Sequence, residues 1–130
     1  TEIEFITTSF DKSEGGTLSA RVRFNEPVVV STSGGTPTLS VTNGNQGSGS
    51  GRGPHALAYA SGTGTNELVF SLAIGAANAA TNAGDILVIG ANAVALNSGT
   101  IKDVATSTTN ATITHSAAIG TAAGSITVAA

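Results

Sequence analysis

Two histidines are the side chains in this sequence best suited to acid–base chemistry. His55 and His115 fall at the ends of predicted strands, and serine and aspartate residues elsewhere in the chain are the other members of a hydrolytic triad. No Gly-x-Ser-x-Gly elbow or other nucleophile context accompanies the two histidines. We therefore expect both to be surface or edge residues, and we predict no catalytic residue and no enzymatic activity.

Four oxygen-bearing side chains in the second half of the chain are the candidates for a metal site. Asp85 and Asp103, with Asn82 and Asn92, are possible remnants of a calcium site. Calcium prefers six to eight oxygen ligands, usually with several carboxylates among them. Two acids so far apart in sequence are more typical of residues that cap turns, and we predict no metal ligand and no cofactor.

A glycine-rich segment superficially suggests a loop that binds phosphate. Residues 47–54 read GSGSGRGP, inside a low-complexity stretch from Asn43 to Pro54. A phosphate-binding P-loop ends in Lys followed by Ser or Thr and leads into a helix, whereas here Pro54 and a predicted strand follow. The segment is interpreted as a flexible hairpin loop.

Two arginines share one face of a predicted strand. Arg21 and Arg23 alternate with apolar residues, so they point to the same side of a pleated backbone. They are positioned to pair with Glu26 or with carboxylates of a partner molecule. The simpler interpretation is a solvated outer face.

Composition limits what kind of protein these residues belong to. The 130 residues fit one domain, with 40% apolar but only 4% aromatic residues and no Cys, Met or Trp. Charged residues make up 10%, and the net charge is −3 with scattered Lys and Arg, which argues against nucleic-acid binding. No segment approaches the length of a membrane span or a secretory signal. The start, Thr-Glu-Ile-Glu, is expected for a chain that lost only its initiator Met, or for a repeat of a longer chain.

Alternating apolar residues predict an all-β fold. The clearest case is Gly16–Val30, where Leu18, Ala20, Val22 and Phe24 alternate with polar residues before Pro27 divides the segment into a strand pair. Its expected core counterpart is the strand over residues 67–74. Further strands are predicted over residues 2–10, 36–42, 55–61, 85–89, 111–115 and 125–128, with a turn over 97–102. Residues 91–96 are either a short strand or an irregular return. Short strands separated by regular turns are typical of a β-sandwich.

The last twelve residues are treated as a separate unit. We predict a sandwich over residues 1–118 and a C-terminal extension over residues 119–130, in which Ile126 and Val128 alternate after two glycines. Two roles remain open for this extension. It completes the domain's own sheet, or it adds a strand to the exposed edge of a neighbouring subunit.

Several segments resemble the Ig-like repeats of large bacterial surface proteins, the group typified by the cyanobacterial swimming-motility protein and related adhesins. The matching segments are VRFNEPVVV (22–30), GTPTLSV (35–41), ALAYASGTGTNELVFSLAI (56–74), GANAVALNSGTIKD (90–103) and ATITHSA (111–117). The resemblance implies an Ig-like Greek-key β-sandwich of about seven to nine strands with a structural or adhesive role. Where such repeats often carry an acidic calcium cluster, this sequence has GAANAATNAGD and retains only Asp85.

A single copy of such a domain looks more like a phage virion protein, since similar Ig-like domains decorate capsids and tails. The leading functional hypothesis is a non-enzymatic capsid decoration or cement protein, located in the virion after assembly in the host cytoplasm. Its expected partners are the major capsid or another virion protein and further copies of itself. The alternative is a stalk or ligand-binding repeat of an adhesin at the bacterial cell surface. A carbohydrate-binding module is disfavoured, because Tyr59 and four Phe are the aromatic residues available.

Overall fold

The computed structural model describes residues 2–7, 9–11, 13–44, 55–75, 86–89, 93–105, 110–111 and 125–129. The described part of the chain is all-β and contains no helix, which confirms the predicted fold class. Its strands are β1 (Glu2–Phe5), β2 (Phe10–Asp11), β3 (Gly16–Ser31), β4 (Thr38–Gly44), β5 (His55–Ser61), β6 (Thr65–Ile74), β7 (Ile86–Val88), β8 (Val94–Ala95), β9 (Thr100–Asp103) and β10 (Ser125–Ala129).

The strand order contains a Greek key. The hydrogen-bonded path runs β1-β3-β6-β5-β4-β7-β10-β2, with β8 beside β4 and β9 beside β3. Strands β4, β5 and β6 form consecutive antiparallel pairs, and β3 pairs with β6, which gives the order 1-4-3-2 of a Greek-key unit. Strands β7 and β8 pair with successive parts of β4, and β1 and β2 both lie in the N-terminal segment. If each of these two couples is counted as one interrupted strand, the ten described strands become eight, which is within the expected range of seven to nine.

The first eleven residues join the two ends of this path. Strand β1 pairs with β3, with Ile3 opposite Val22, whereas β2 pairs in parallel with β10, with Phe10 opposite Val128. Only four residues separate β1 from β2, so the two ends of the path lie within about 17 Å of each other. The sheet must therefore curl around one core, and the predicted single strand over residues 2–10 is wrong because the segment changes sheet partner midway.

Strand β3 is one continuous strand of 16 residues, not the predicted pair of strands. Residues 16–23 pair with β6, as predicted, and the register shifts between Arg23 and Val28. Beyond that shift β3 pairs with β9, with Val28 opposite Asp103. Pro27 is tolerated because it lies in the shifted segment, outside both regular ladders. The proline thus marks a change of partner and not the end of the strand.

The core consists of the inward rows of these strands. Alternation along β3 buries Leu18, Ala20, Val22 and Phe24 as predicted, and the same pattern repeats on the neighbouring strands. Other residues at 0–1% exposure are Ile3, Val28, Leu39, Val41, Leu57, Leu68, Phe70, Leu87, Ile89 and Ile101. Aromatic contacts are few, and one of them is the edge-to-face pair of Tyr59 and Phe70, with ring centroids 6.1 Å apart.

The turn before β9 contacts the loop before β4. Asn97 and Ser98 have positive φ values of 49° and 70°, and the Gly99 N–H donates to the Leu96 carbonyl at 2.8 Å. This turn lies directly on Gly35, where an added Cβ would collide with the Asn97 carbonyl oxygen. The turn predicted over residues 97–102 is therefore shorter than expected, because the chain resumes as β9 at residue 100.

The C-terminal residues complete the chain's own sheet in this structure. Strand β10 pairs antiparallel with β7, with Ile126 opposite Leu87, and in parallel with β2. Both of its edges are thus paired within one molecule. The predicted strand over residues 111–115 lies outside the described residues except Ala111, whose N–H donates to the Ile101 carbonyl at 2.9 Å.

Candidate interaction surface

The outer face of the first half of β3 carries a compact ion-pair cluster. Arg21 Nη1 lies 3.3 Å from Glu67 Oε1, and Arg23 Nη2 lies 3.2 Å from Glu67 Oε2. The three side chains are one third to just under one half exposed. In the β1–β3 register, Glu2 is opposite Arg23 and Glu4 is opposite Arg21. Both arginines of β3 therefore share Glu67 of the adjacent strand as a carboxylate partner.

This cluster corrects one prediction and confirms another. Both arginines share the outer face of β3, as the alternation predicted. Their carboxylate partner is Glu67 on the adjacent strand, not Glu26, because the register shift begins after Arg23 and moves Glu26 off the regular ladder. A partly exposed pair of this kind contributes about 0–1 kcal/mol to stability.

A small notch opens where β3 changes partner. The cavity measures about 120 Å³ and is lined by Phe24, Asn25, Glu26, Val28, Asp103, Asn110 and Ala111. Its polar groups come from the irregular segment of β3 and from the end of β9. The β5–β6 turn supports the same region, since the Gly64 N–H donates to the Val28 carbonyl at 2.7 Å and Thr63 Oγ1 accepts from the Val30 N–H at 2.9 Å.

An apolar surface lies beside the notch on the outer face of β3 and β9. We call the surface formed by Pro27, Val29, Lys102 and Val104 the β3–β9 patch. Val29 is 41% exposed and Val104 is 47% exposed, whereas most valines of the described strands are buried or half-buried. Val29 is opposite Lys102 in the register, and the Val104 N–H donates to the Pro27 carbonyl at 3.1 Å. The four residues therefore form one continuous surface.

The charges around this patch differ from those of the arginine cluster. Lys102 is half-buried, Glu26 is exposed, and Asp103 lies at the lip of the notch. None of the three forms a salt bridge with another residue that the structure describes. Among the described residues these groups therefore differ from Arg21 and Arg23, which are engaged by Glu67.

The sequence carries a signal for this patch in three consecutive valines. Val28, Val29 and Val30 are consecutive in a strand, and consecutive side chains point to opposite faces. One face must therefore carry Val28 and Val30, which are buried and half-buried, and the other must carry Val29. Its exposure follows from the absence of a covering element over that face among the described residues.

The two histidines do not form a site in the described structure. His55 begins β5 and is only 6% exposed, so the prediction that it is a surface or edge residue is wrong. Its alternation with Leu57 places it on the inward face of the strand. His115 lies outside the described residues.

The predicted metal and anion candidates are only partly placed. Asp103 ends β9 and lines the notch, while Asp85, Asn82 and Asn92 lie outside the described residues. Among the residues that the structure describes, no group of three or more His, Cys, Asp or Glu side chains comes close enough to hold a metal ion. The glycine-rich segment over residues 47–54 also lies outside them.

The carboxyl group of Asp11, at the end of β2, has a lowered pKa. Asp11 Oδ1 accepts hydrogen bonds from Ser13 Oγ at 2.6 Å and from the Ser13 N–H at 2.8 Å. These hydrogen bonds stabilise the ionised form, the side-chain bond most strongly, and lower the pKa of Asp11 below its ordinary value of 3.8. The role of this residue is to fix the turn between β2 and β3.

The fold and surface define an all-β Greek-key domain with a candidate contact surface. In the described ranges, no helix is long and apolar enough to cross a membrane. No protein-family model matches the chain, and neither the curated proteins nor the solved structures include a significant match to it.

Proposed function

We propose that this chain is a non-enzymatic structural protein of a phage virion, a capsid decoration or cement protein. Its partners in this proposal are the major capsid protein or another virion protein and further copies of itself. The observation that carries the proposal is the β3–β9 patch, where two exposed valines lie beside Lys102, which has no salt bridge to another described residue.

The chemistry of the patch suits protein–protein contact better than it suits catalysis. Val29 and Val104 offer apolar area, Lys102 lies opposite Val29 on the same face, and Glu26 and Asp103 line the adjacent notch. Protein interfaces commonly combine an apolar centre with a charged and hydrated rim. The patch is much smaller than an interface of about 800 Å² per partner, so a single contact is weak and repetition on a symmetric particle supplies the avidity.

A bacterial adhesin repeat is the second candidate. The observation that favours it is the meeting of Glu26 and Asp103 in one notch, since the repeats that this sequence resembles often hold calcium. In that case millimolar calcium raises the melting temperature, and Asp103→Asn removes the effect. A melting temperature that does not respond to calcium favours the virion proposal.

Peptide mapping of cell and particle fractions tests the proposal directly. Cells carrying the gene are induced for phage, and purified particles are compared with the cell envelope by tryptic peptide mass spectrometry. The virion proposal expects peptides such as residues 24–52 in particles, at a copy number that matches the particle symmetry. Enrichment in the envelope, with peptides of a much longer chain, would overturn it.

A further inference from the structure

We infer that the Thr7 hydroxyl is a conformational latch, which fixes the point where the N-terminal segment leaves β3 and so keeps β2 paired with β10. The latch consists of the Thr7 side chain and the two backbone groups of β3 that it binds, the Thr17 carbonyl and the Ser19 N–H. It concerns how the domain closes its own sheet, so it goes beyond the proposed function and does not depend on it.

The Thr7 hydroxyl takes the place of two backbone groups at the edge of β3. Continuation of the β1–β3 register would place Ile6 opposite Ser19, and the Ile6 N–H does donate to the Ser19 carbonyl at 2.8 Å. A regular ladder would return a bond from the Ser19 N–H to the Ile6 carbonyl, and would bond the Thr17 carbonyl to an N–H two residues further along the neighbouring strand. Instead, Thr7 Oγ1 accepts from the Ser19 N–H at 2.8 Å and donates to the Thr17 carbonyl at 2.8 Å. One side chain therefore ends the ladder and still satisfies both groups of β3.

The departure of the chain at Thr7 allows two phenylalanines to be buried. Phe5 and Phe10 are five residues apart, so one regular strand would place their side chains on opposite faces. In the structure they are 9% and 4% exposed, and an added Cβ on Gly16 would lie 3.7 Å from the Phe10 ring. The backbone changes course between them, because the Thr7 N–H, which would point away from β3 in a regular strand, donates to the Ser19 carbonyl at 3.1 Å. The segment is therefore anchored in the core on both sides of the latch.

Residues 6–10 have two arrangements available. In the latched arrangement, Phe10 is buried and β2 pairs with β10. In the unlatched arrangement, residues 6–9 continue along β3 as far as Gly16, which is the single strand that the sequence pattern predicts. Both arrangements satisfy the edge of β3, so the balance between them depends on the Thr7 hydroxyl and on the burial of Phe10. The unlatched arrangement takes β2 away from β10, and an uncovered strand edge is a template for a strand of another molecule.

Hydrogen exchange measured by NMR on isosteric variants tests the latch. Thr7→Val keeps the shape of the side chain but loses two hydrogen bonds to β3, so amide exchange at residues 10–11 and 128–129 should become at least about tenfold faster. Exchange at residues 67–74 should stay within about twofold of wild type, because local opening leaves the β3–β6 pairing intact. Thr7→Ser keeps the hydroxyl and should exchange as wild type. Thr17→Val, the same change at an exposed threonine whose hydroxyl is not part of the latch, is the matched control and should also exchange as wild type.

Three results would each overturn the latch. Exchange in Thr7→Val that matches wild type at residues 10–11 and 128–129 would show that the hydroxyl does not select the arrangement. Equal acceleration in Thr7→Ser would assign the effect to the methyl group, and equal acceleration at residues 67–74 would indicate a general loss of stability. The wild-type chain gives a second test, which does not depend on the folding of a variant. Residues 10–11 and 128–129 should exchange together through an opening smaller than global unfolding, and exchange only through global unfolding would contradict a separate unlatched arrangement.

Discussion

The two halves of β3 show how one strand can serve two purposes. Residues 16–23 lie between β1 and β6, bury one row in the core and engage their outer arginines with Glu67. Residues 28–31 pair with β9, bury Val28, and leave Val29 exposed beside Lys102, which forms no salt bridge with another described residue. The inward faces are equivalent, and the outer faces differ. The comparison indicates that both halves contribute to the core, whereas the exposed apolar surface belongs to the second half alone.

The largest expected effects test whether the two halves share one core. Leu18→Ala in the first half and Ile101→Ala beneath the second half should each lower the free energy of unfolding by about 2–5 kcal/mol, because both side chains are at 0–1% exposure. Urea titration monitored by circular dichroism measures both. A loss of unfolding free energy for Ile101→Ala far below that range would show that β9 contributes little to the core. It would contradict the statement that both halves of β3 share one core.

A smaller effect is expected where the second half is anchored. Gly35→Ala introduces a Cβ that collides with the Asn97 carbonyl, so the turn leading into β9 must move. We expect a loss of about 1–3 kcal/mol, typical of overpacking. Hydrogen exchange measured on the Gly35→Ala variant should be faster than in the wild type at residues 100–103, and by more than at residues 67–74.

The matched control for this substitution is Gly75→Ala. An added Cβ at Gly75 meets no atom within 4 Å, and its φ lies outside the left-handed region. Its stability should stay within about 0.5 kcal/mol of wild type, as is usual at open surface positions. Equal losses in the two variants would contradict the anchoring role of Gly35.

The ion-pair cluster of the first half is expected to contribute little. Glu67→Gln should cost about 0.5 kcal/mol at low salt, and less at high salt, because the three side chains are partly exposed. Thermal melts at two salt concentrations measure the difference. Glu26→Gln is the comparison from the second half and should leave the monomer's stability unchanged, since Glu26 has no described salt-bridge partner.

The smallest effect expected is a pH dependence at the β2–β3 turn. The pKa of Asp11 is lowered in the folded state by the Ser13 hydrogen bonds, so its contribution to stability is present above the ordinary value of 3.8 and is lost as the pH falls through the lower, folded-state pKa. Urea midpoints between pH 5 and about 2.5 should fall less steeply in Asp11→Asn than in wild type. Identical slopes would show that the hydrogen bonds do not persist in solution.

The sequence predicted the inward face of this protein better than its outward face. Alternation located the buried row of β3, because period two in a half-buried strand depends only on local pattern. It did not reveal that residues 16–31 form one strand, since the partner change at Pro27 depends on β9, which lies seventy residues further along the chain. Long-range pairing of this kind leaves no local periodicity to read.

The site residues show the same division. The shared face of Arg21 and Arg23 followed from spacing, but their partner Glu67 followed from the sheet register, which the sequence does not encode locally. The burial of His55 was missed because polarity suggested an exposed position, although its phase with Leu57 pointed inward. The patch was not predicted, although alternation along a strand places Val29 on the face opposite to Val28 and Val30.

The parallel pairing of β2 with β10 has a mechanical consequence. Phe10 and Val128 are neighbours, yet they belong to the second and the last strands of the chain. Because the two strands run in the same direction, the chain enters the pair at one end of β2 and leaves at the opposite end of β10. A pull on the two termini therefore shears the pair and loads its hydrogen bonds together, instead of peeling them one by one. In a domain tethered at both ends, this junction would carry the load together with the β1–β3 pairing that precedes it along the chain.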